Sequence, residues 1–209
     1  MKLAEKLEIT NEDNMELMAR YPDNHFELAI VDPPYGINIA NMNMGIGKSK
    51  KASKKQNRKW VAKDWDKTPP DSNYFNELFR VSKDQIVWGG NYFDLPAHYG
   101  YVLWDKEITN GLSFADCEMA WYSFKKAAKI FRYSAYLDKG NEFHPTQKPV
   151  ALYEWLFKNY AKKGDKILDT HLGSGSIAIA CHNMGYDLTG YEIDKDYFEA
   201  AKKRIEQHK

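Results

Sequence analysis

Between Pro149 and Gln207 short apolar runs alternate with longer segments of helical periodicity, and this alternation restricts the fold more than any other feature of the chain. The segment reads as helix Pro149 to Tyr160, strand Lys166 to Asp169, a Gly-rich turn at 173–175, helix to Met184, strand Asp187 to Ile193 and helix Lys195 to Gln207. Gly185 is placed to stop the second of these helices, and Asp194 to cap the third. Strands separated by helices of this length need crossover connections, which implies a mostly parallel α/β sheet with helices on both faces. The first thirty residues repeat the theme with strand Leu7 to Ile9, helix Asn14 to Arg20 and strand Phe26 to Val31. The last of these ends in a continuously apolar run, the pattern of a strand covered on both faces.

The middle of the chain is less regular. A helix from Asp71 to Val81 and strands at Gln85 to Trp88, Tyr101 to Trp104 and Glu118 to Phe124 are expected, and 125–145 takes no assignment. Residues 36–70 show no periodicity and end at Thr68-Pro69-Pro70, which implies a long loop at about 40–68; loops of that length are usually functional or disordered. With no Pro/Gly/Ser-rich linker, residues 1–209 are expected to form a single domain. Two cysteines without CxxC spacing support neither a disulfide framework nor a thiolate zinc site, and no run approaches the ~18 apolar residues of a membrane span. A reduced, cytoplasmic protein is expected. The net charge of +1 says little about partners, but eight of the residues from Lys48 to Lys63 are Lys or Arg and none is acidic. Lys51, Lys54, Lys55, Arg58 and Lys59, with Trp60 and Trp65 nearby, are candidate contacts to nucleic acid phosphates. A solvated loop is the plain alternative.

The turn Asp169-Thr170-His171-Leu172-Gly173-Ser174-Gly175-Ser176 joins a strand to a helix, and Gly173 and Gly175 leave room for backbone amides to approach a ligand. Glu192 follows nineteen positions after Gly173, at the end of the next strand, where a carboxylate accepts both hydroxyl hydrogens of a ribose. The spacing also satisfies the loose dinucleotide fingerprint through Ala178, and a tight turn without a ligand produces the same pattern. Asp169 separates these readings. An acid just before the turn repels a pyrophosphate but suits an ammonium group, as in the amino acid end of S-adenosylmethionine, so an NAD-dependent oxidoreductase is disfavoured.

Strand Phe26 to Val31 stops at Asp32-Pro33-Pro34-Tyr35. Prolines cannot donate to a ladder, so this tetrapeptide lies beyond the strand's carboxyl end. An exocyclic base amine is a poor nucleophile because its lone pair is delocalised into the ring, and accepting its hydrogens from one side localises that pair toward an electrophile. The Asp32 carboxylate and the Pro33 carbonyl form such an acceptor pair on a backbone that Pro33 and Pro34 keep extended. Tyr35 offers a flat face on which a base withdrawn from its duplex stacks. A stiffened strand exit with a capping Asp and a core Tyr is the bland alternative, weakened by the 169–192 pattern in the same chain. Trp88-Gly89-Gly90-Asn91 ends another strand and is expected to line the same cleft.

Together these motifs resemble the amino-group (N6-adenine/N4-cytosine) DNA methyltransferases of the permuted, β-type order, in which the Asp-Pro-Pro-Tyr tetrapeptide precedes the Gly loop. The likeness extends to Glu12-Asp13-Asn14-Met15-Glu16-Leu17 and to His144-Pro145-Thr146-Gln147-Lys148-Pro149. It implies a Rossmann-like S-adenosylmethionine-dependent methyltransferase fold with circularly permuted motif order. It also implies methyl transfer to adenine N6 in double-stranded DNA with the target base flipped, without a metal. In that family Asp13 would face the cofactor's adenine, and Thr146 and Lys148 would reach its carboxylate. A short target-recognition segment would lie at about 105–143, where Lys125, Lys126, Lys129 and Arg132 are basic. Asp rather than Ser at position 32 resembles the adenine-N6 members. Departures are Glu12, where Gly is common, and Thr170-His171, where Pro-Phe is usual; His171 then replaces the aromatic contact to the cofactor or binds nothing. Cytosine N4, RNA adenine N6 (where Trp tends to replace Tyr35) and an inactive nucleic-acid-binding module stay open as alternatives, as do a homodimer and a restriction partner.

Overall fold

The computed structural model describes residues 2–4, 6–38, 65–108, 115–134, 137 and 143–208. The basic residues Lys51, Lys54, Lys55, Arg58 and Lys59, Trp60, most of the loop expected at 40–68 and part of the 105–143 segment lie outside these described residues. Among the described residues nine strands form a single sheet: β1 (Lys2–Ala4), β2 (Leu7–Thr10), β3 (Phe26–Val31), β4 (Ser82–Trp88), β5 (Tyr101–Asp105), β6 (Cys117–Tyr122), β7 (Lys129–Arg132), β8 (Lys166–Asp169) and β9 (Asp187–Tyr191). The helices are α1 (Asn14–Met18), α2 (Ser72–Val81), α3 (Val150–Tyr160), α4 (Ser176–Met184) and α5 (Lys195–Gln207). None of them is long and apolar enough to cross a membrane.

Spatial order is β1-β2-β9-β8-β3-β4-β6-β5-β7. Only β1 and β6 run against the rest. Leu28 and Ile30 of β3 belong to one apolar cluster with α3, α4 and α5, whereas Ala29 and Val31 belong to another with α1 and α2. A strand buried on both faces accounts for the unbroken apolar run. From the central pair β3 and β8 the chain winds outward in opposite directions, through α2 to β4 and through α4 to β9. Right-handed crossovers in opposite directions place those two helices on opposite faces and open a crevice at the carboxyl ends of β3 and β8.

Local chemistry sets most element boundaries. Asp71 accepts from the amides of Asn73 and Tyr74 and so starts α2; Asp194 does the same for α5 through Asp196 and Tyr197. Gly185, at φ 76°, ends α4. β4 begins three residues earlier than its apolar pattern indicates, because the polar Ser82 and Asp84 pair with Phe26 and Leu28 of β3. β7 arises in the unassigned 125–145 stretch and buries only Phe131 of its four residues, too little pattern to read from sequence. α1 ends at Met18 rather than Arg20.

Candidate active site

Asp32 stands one residue past β3, and both of its carboxylate oxygens are engaged. Oδ1 accepts from the Tyr35 hydroxyl at 2.6 Å, and Oδ2 accepts from the Lys148 ammonium. The turn that follows is clamped from below by a residue no motif announced: the Asp66 side chain, 1% exposed, accepts from the amides of Tyr35 at 2.7 Å and Gly36 at 3.0 Å. Tyr35 stacks on Tyr92 with ring centroids 4.8 Å apart and 12° between planes. Its position depends on Gly89, where a Cβ would lie 2.2 Å from the ring and φ is +68°. The Trp88-Gly89-Gly90-Asn91 segment therefore seats Tyr35 and is absent from the cavity wall, contrary to the expectation from strand position.

That cavity, of about 260 Å³, lies at the carboxyl ends of β3, β8 and β9. Asp32 and Pro34 line it together with Thr146, Lys148, His171, Gly173, Ser174 and Glu192, so residues from both motifs meet around one space. Pro33, Tyr35, Asp169, Gly175 and Ser176 lie outside its wall, as does Asp13. Asp13 instead caps α1, accepting from the Met15 amide at 2.8 Å, and its neighbours Glu12 and Asn14 face the cavity. Sequence reasoning placed Trp65 beside the basic run, gave His144 no role of its own and did not mark Tyr197, yet all three also line it. The His144 ring sits between them, 5.5 Å from Trp65 and 4.4 Å from Tyr197. These rings come from three distant segments, and no local spacing links them.

Two backbone amides orient the Glu192 carboxylate. Its Oε2 accepts from the Gly173 amide and its Oε1 from the Asp194 amide, each at 2.9 Å. Gly175 serves packing: α5 approaches so closely that a Cβ at 175 would stand 3.1 Å from Ile205 and 3.3 Å from Ala201. Ser176 and the Ser174 carbonyl are both tied to Arg204 of the same helix.

Asp169 ends β8 and is 2% exposed, and its Oδ1 accepts from the His171 amide at 3.0 Å. Burial pushes its carboxyl up to about 8, only partly offset by that hydrogen bond and by Lys148, while Asp32 and Glu192 add repulsion. His171 is half-buried, and desolvation holds its imidazole down at about 3, so it is neutral. The Asn14 side-chain amide donates to Nε2 at 3.3 Å, so Nδ1 carries the proton and donates to Thr170 Oγ1 at 2.9 Å. Thr170 Oγ1 lies 2.6 Å from the Tyr74 hydroxyl. Thr170 and His171 thus form a polar chain that ties the end of β8 to α1 and α2, which gives the departure from Pro-Phe a structural role.

A family profile described as "DNA methylase" matches residues 48–203. The type II methyltransferase M2.DpnII of Streptococcus pneumoniae is 30% identical over 142 residues, covering 68% of this chain and 49% of that protein. The type II methyltransferase M.HpaI of Haemophilus parainfluenzae is 38% identical over 76 residues, covering 36% and 24%. The chain spans at most about half the length of these curated relatives. Among solved structures, the M1.HpyAVI–SAM complex is similar with a TM-score of 0.59 at 17% identity, covering 95% of this chain and 98% of that one. The cytosine-N4-specific PvuII DNA methyltransferase is similar with a TM-score of 0.61 at 14% identity, covering 98% and 92%. At such identities the likeness is one of fold.

Proposed function

The chain belongs to the DNA methylase family, and on that footing we propose that it transfers a methyl group from S-adenosylmethionine to adenine N6 in double-stranded DNA. The observation that carries this reading is the shared cavity: Asp32, past β3, and the Gly173–Glu192 pair, at β8 and β9, face one space across the central strand junction. An amine acceptor and an adenosine-type site are thereby neighbours.

The residues present fit the cofactor. Glu192, pre-oriented by two backbone amides, suits the ribose hydroxyls. Asp169 is a buried carboxyl that forms no ion pair among the described residues, and a cationic amino acid group beside it would restore its ionised form. Thr146 lines the cavity where the cofactor's carboxylate is expected. When bound, the cofactor supplies an electrophilic methyl on a sulfonium.

Asp32 and the Pro33 carbonyl accept the two hydrogens of the target amine, and the amine takes over on Oδ1 the position that the Tyr35 hydroxyl holds here. Lys148 stays on Oδ2 and fixes the plane of the carboxylate. As the nitrogen gains its methyl group it sheds one hydrogen as a proton, which Asp32 accepts. Burial raises the Asp32 carboxyl above its ordinary value, with Glu118 adding to the rise and Lys148 and Tyr35 opposing it, and this makes it a better proton acceptor. No covalent link to the protein is needed, so positioning and electrostatics supply the catalysis. The Lys48–Lys63 run is proposed to neutralise DNA phosphates. Adenine is favoured by Asp at position 32, and DNA by Tyr35.

Incubation with labelled S-adenosylmethionine and either duplex DNA or RNA, followed by mass spectrometry of the nucleosides, tests the proposal. N6-methyladenine in DNA is expected. N4-methylcytosine, or label in RNA alone, redirects the substrate reading; equal labelling by Asp32→Ala overturns the mechanism.

A further inference from the structure

Four charged side chains lie in a row along the catalytic edge of the sheet, with alternating signs. Lys148, from the segment before α3, binds Asp32 Oδ2 and also lies 3.2 Å from Glu118 Oε2. Glu118, on β6, in turn holds Lys106, just past β5, at 2.6 Å through Oε1. The row exists because β6 is antiparallel to β4 and β5: its register sets Glu118 opposite Trp104 and Ala120 opposite Trp88, so the start of β6 lies beside the carboxyl ends of its neighbours. Both cations also sit over indole rings at those ends, Lys148 at 5.2 Å from Trp88 and Lys106 at 5.3 Å from Trp104. The Lys148 side chain is only 2% exposed. The other three members are half-buried, and removing one member of such a row leaves its neighbour less compensated.

We propose that Glu118 and Lys106 are positioning residues for the transfer step, which act through Lys148 to set the orientation and ionisation of Asp32. This rests on the reading of Asp32 as the acceptor of the target amine. Glu118 divides the pull of Lys148, drawing the ammonium toward β6 while placing a second anion near Asp32. Burial works to raise the Glu118 carboxyl, yet Lys148 and Lys106 outweigh it and hold it at about 2, so Glu118 stays charged at neutral pH. Burial and Glu118 together raise Asp32 against the opposing effect of Lys148 and Tyr35. Among the described residues, Asp169, Tyr74 and Tyr153 also interact with Asp32, and substitutions at 106 or 118 leave all three in place.

The two residues act with opposite sign. In Glu118→Gln the second anion is gone and Lys148 serves Asp32 alone, so Asp32 titrates lower by about one pH unit, the scale of one unit charge removed at this range. In Lys106→Met the charge on Glu118 is less compensated and draws Lys148 away, so Asp32 titrates higher. The full chain, labelled with 13C at aspartate carboxyls and assigned with Asp32→Asn, gives these midpoints by NMR without cofactor or DNA. Single-turnover methylation of unmethylated mixed-sequence duplex DNA then shows the acid limb of the rate moving the same way. The plateau rate falls about tenfold in Glu118→Gln, with the KM for S-adenosylmethionine within about twofold. Glu118→Asp, which keeps the charge, returns the midpoint toward the wild-type position. Midpoints that move in the same direction in Glu118→Gln and Lys106→Met, or a Glu118→Asp midpoint that falls as far as that of Glu118→Gln, overturn the proposal. A wild-type protein that leaves DNA unlabelled overturns the proposed reaction instead, and the cofactor-free midpoints tell the two failures apart.

Discussion

Asp32 and Asp169 close two adjacent parallel strands, yet their surroundings differ. Asp32 has an internal cation, Lys148, on one oxygen and a phenol on the other. Asp169 has one backbone amide on Oδ1, and its carboxyl is pushed up to about 8 by burial. One carboxyl carries its own counter-charge within the fold, and the other forms no ion pair among the described residues; in the proposed function the cofactor's ammonium supplies it. Under the proposed function, proton acceptance falls to one carboxyl and recognition of a cation to its neighbour because their partners differ, although both are aspartates at strand ends.

The largest expected effect breaks the comparison on the catalytic side. Asp32→Asn lowers single-turnover methyl transfer by about 10²- to 10⁴-fold, while cofactor affinity, measured by calorimetry, changes by no more than a few-fold. An equal loss of affinity would remove the distinction between the two carboxyls.

On the other side, binding of an ammonium-bearing cofactor must expel the Asp169 proton below about pH 8. Affinity therefore rises with pH, by up to about tenfold per unit below that midpoint, with proton release detectable in buffers of different ionisation enthalpy. Asp169→Asn binds more weakly and shows a flatter profile. The stability sign follows the same shift: a carboxyl raised from 3.8 to about 8 stabilises the fold below its ordinary value and loses that contribution as pH rises through about 8. The difference in Tm between wild type and Asp169→Asn should thus turn against the wild type as pH increases across that window.

Two smaller effects sharpen the comparison. Asp66→Ala leaves the Tyr35 and Gly36 amides without the acceptor they share and costs about 1–3 kcal/mol of stability in a denaturant titration. Its activity loss falls on the rate and spares cofactor affinity, because the clamp acts on the Asp32 side. His171→Phe removes the acceptor of Asn14 and the partner of Thr170, at a cost of about 1 kcal/mol. Since the His171 imidazole is held down at about 3, wild type and variant should share the same pH dependence of cofactor binding between pH 5 and 8.

Legibility followed burial pattern. β3 was readable from Phe26 to Val31 because both its faces are covered, and α5 because its cap and amphipathic period agree. β7 and the first residues of β4 were illegible because partner strands, and not their own apolar residues, place them in the sheet. At the site, Asp32 and Glu192 came from local pattern, and both line the cavity. Lys148 was assigned by resemblance to a cofactor carboxylate; it lines the cavity but is bound to Asp32 and Glu118. Asp66 carries no local signature, since its role is to accept from amides some thirty residues earlier in the chain.

By itself the sequence determined the strand and helix alternation, the proline-stiffened exit at Asp32 and the pairing of a Gly turn with Glu192. These are short-range matters of dihedral restriction, hydrogen-bond donors and periodicity. Only the tertiary structure decided that β3 lies beside β8, which brings Asp32 and Asp169 to one crevice, and that β6 runs antiparallel, which delivers Glu118 to the catalytic edge. Strand order and direction are set by which faces bury against which across the whole chain, and no local window of residues contains that information.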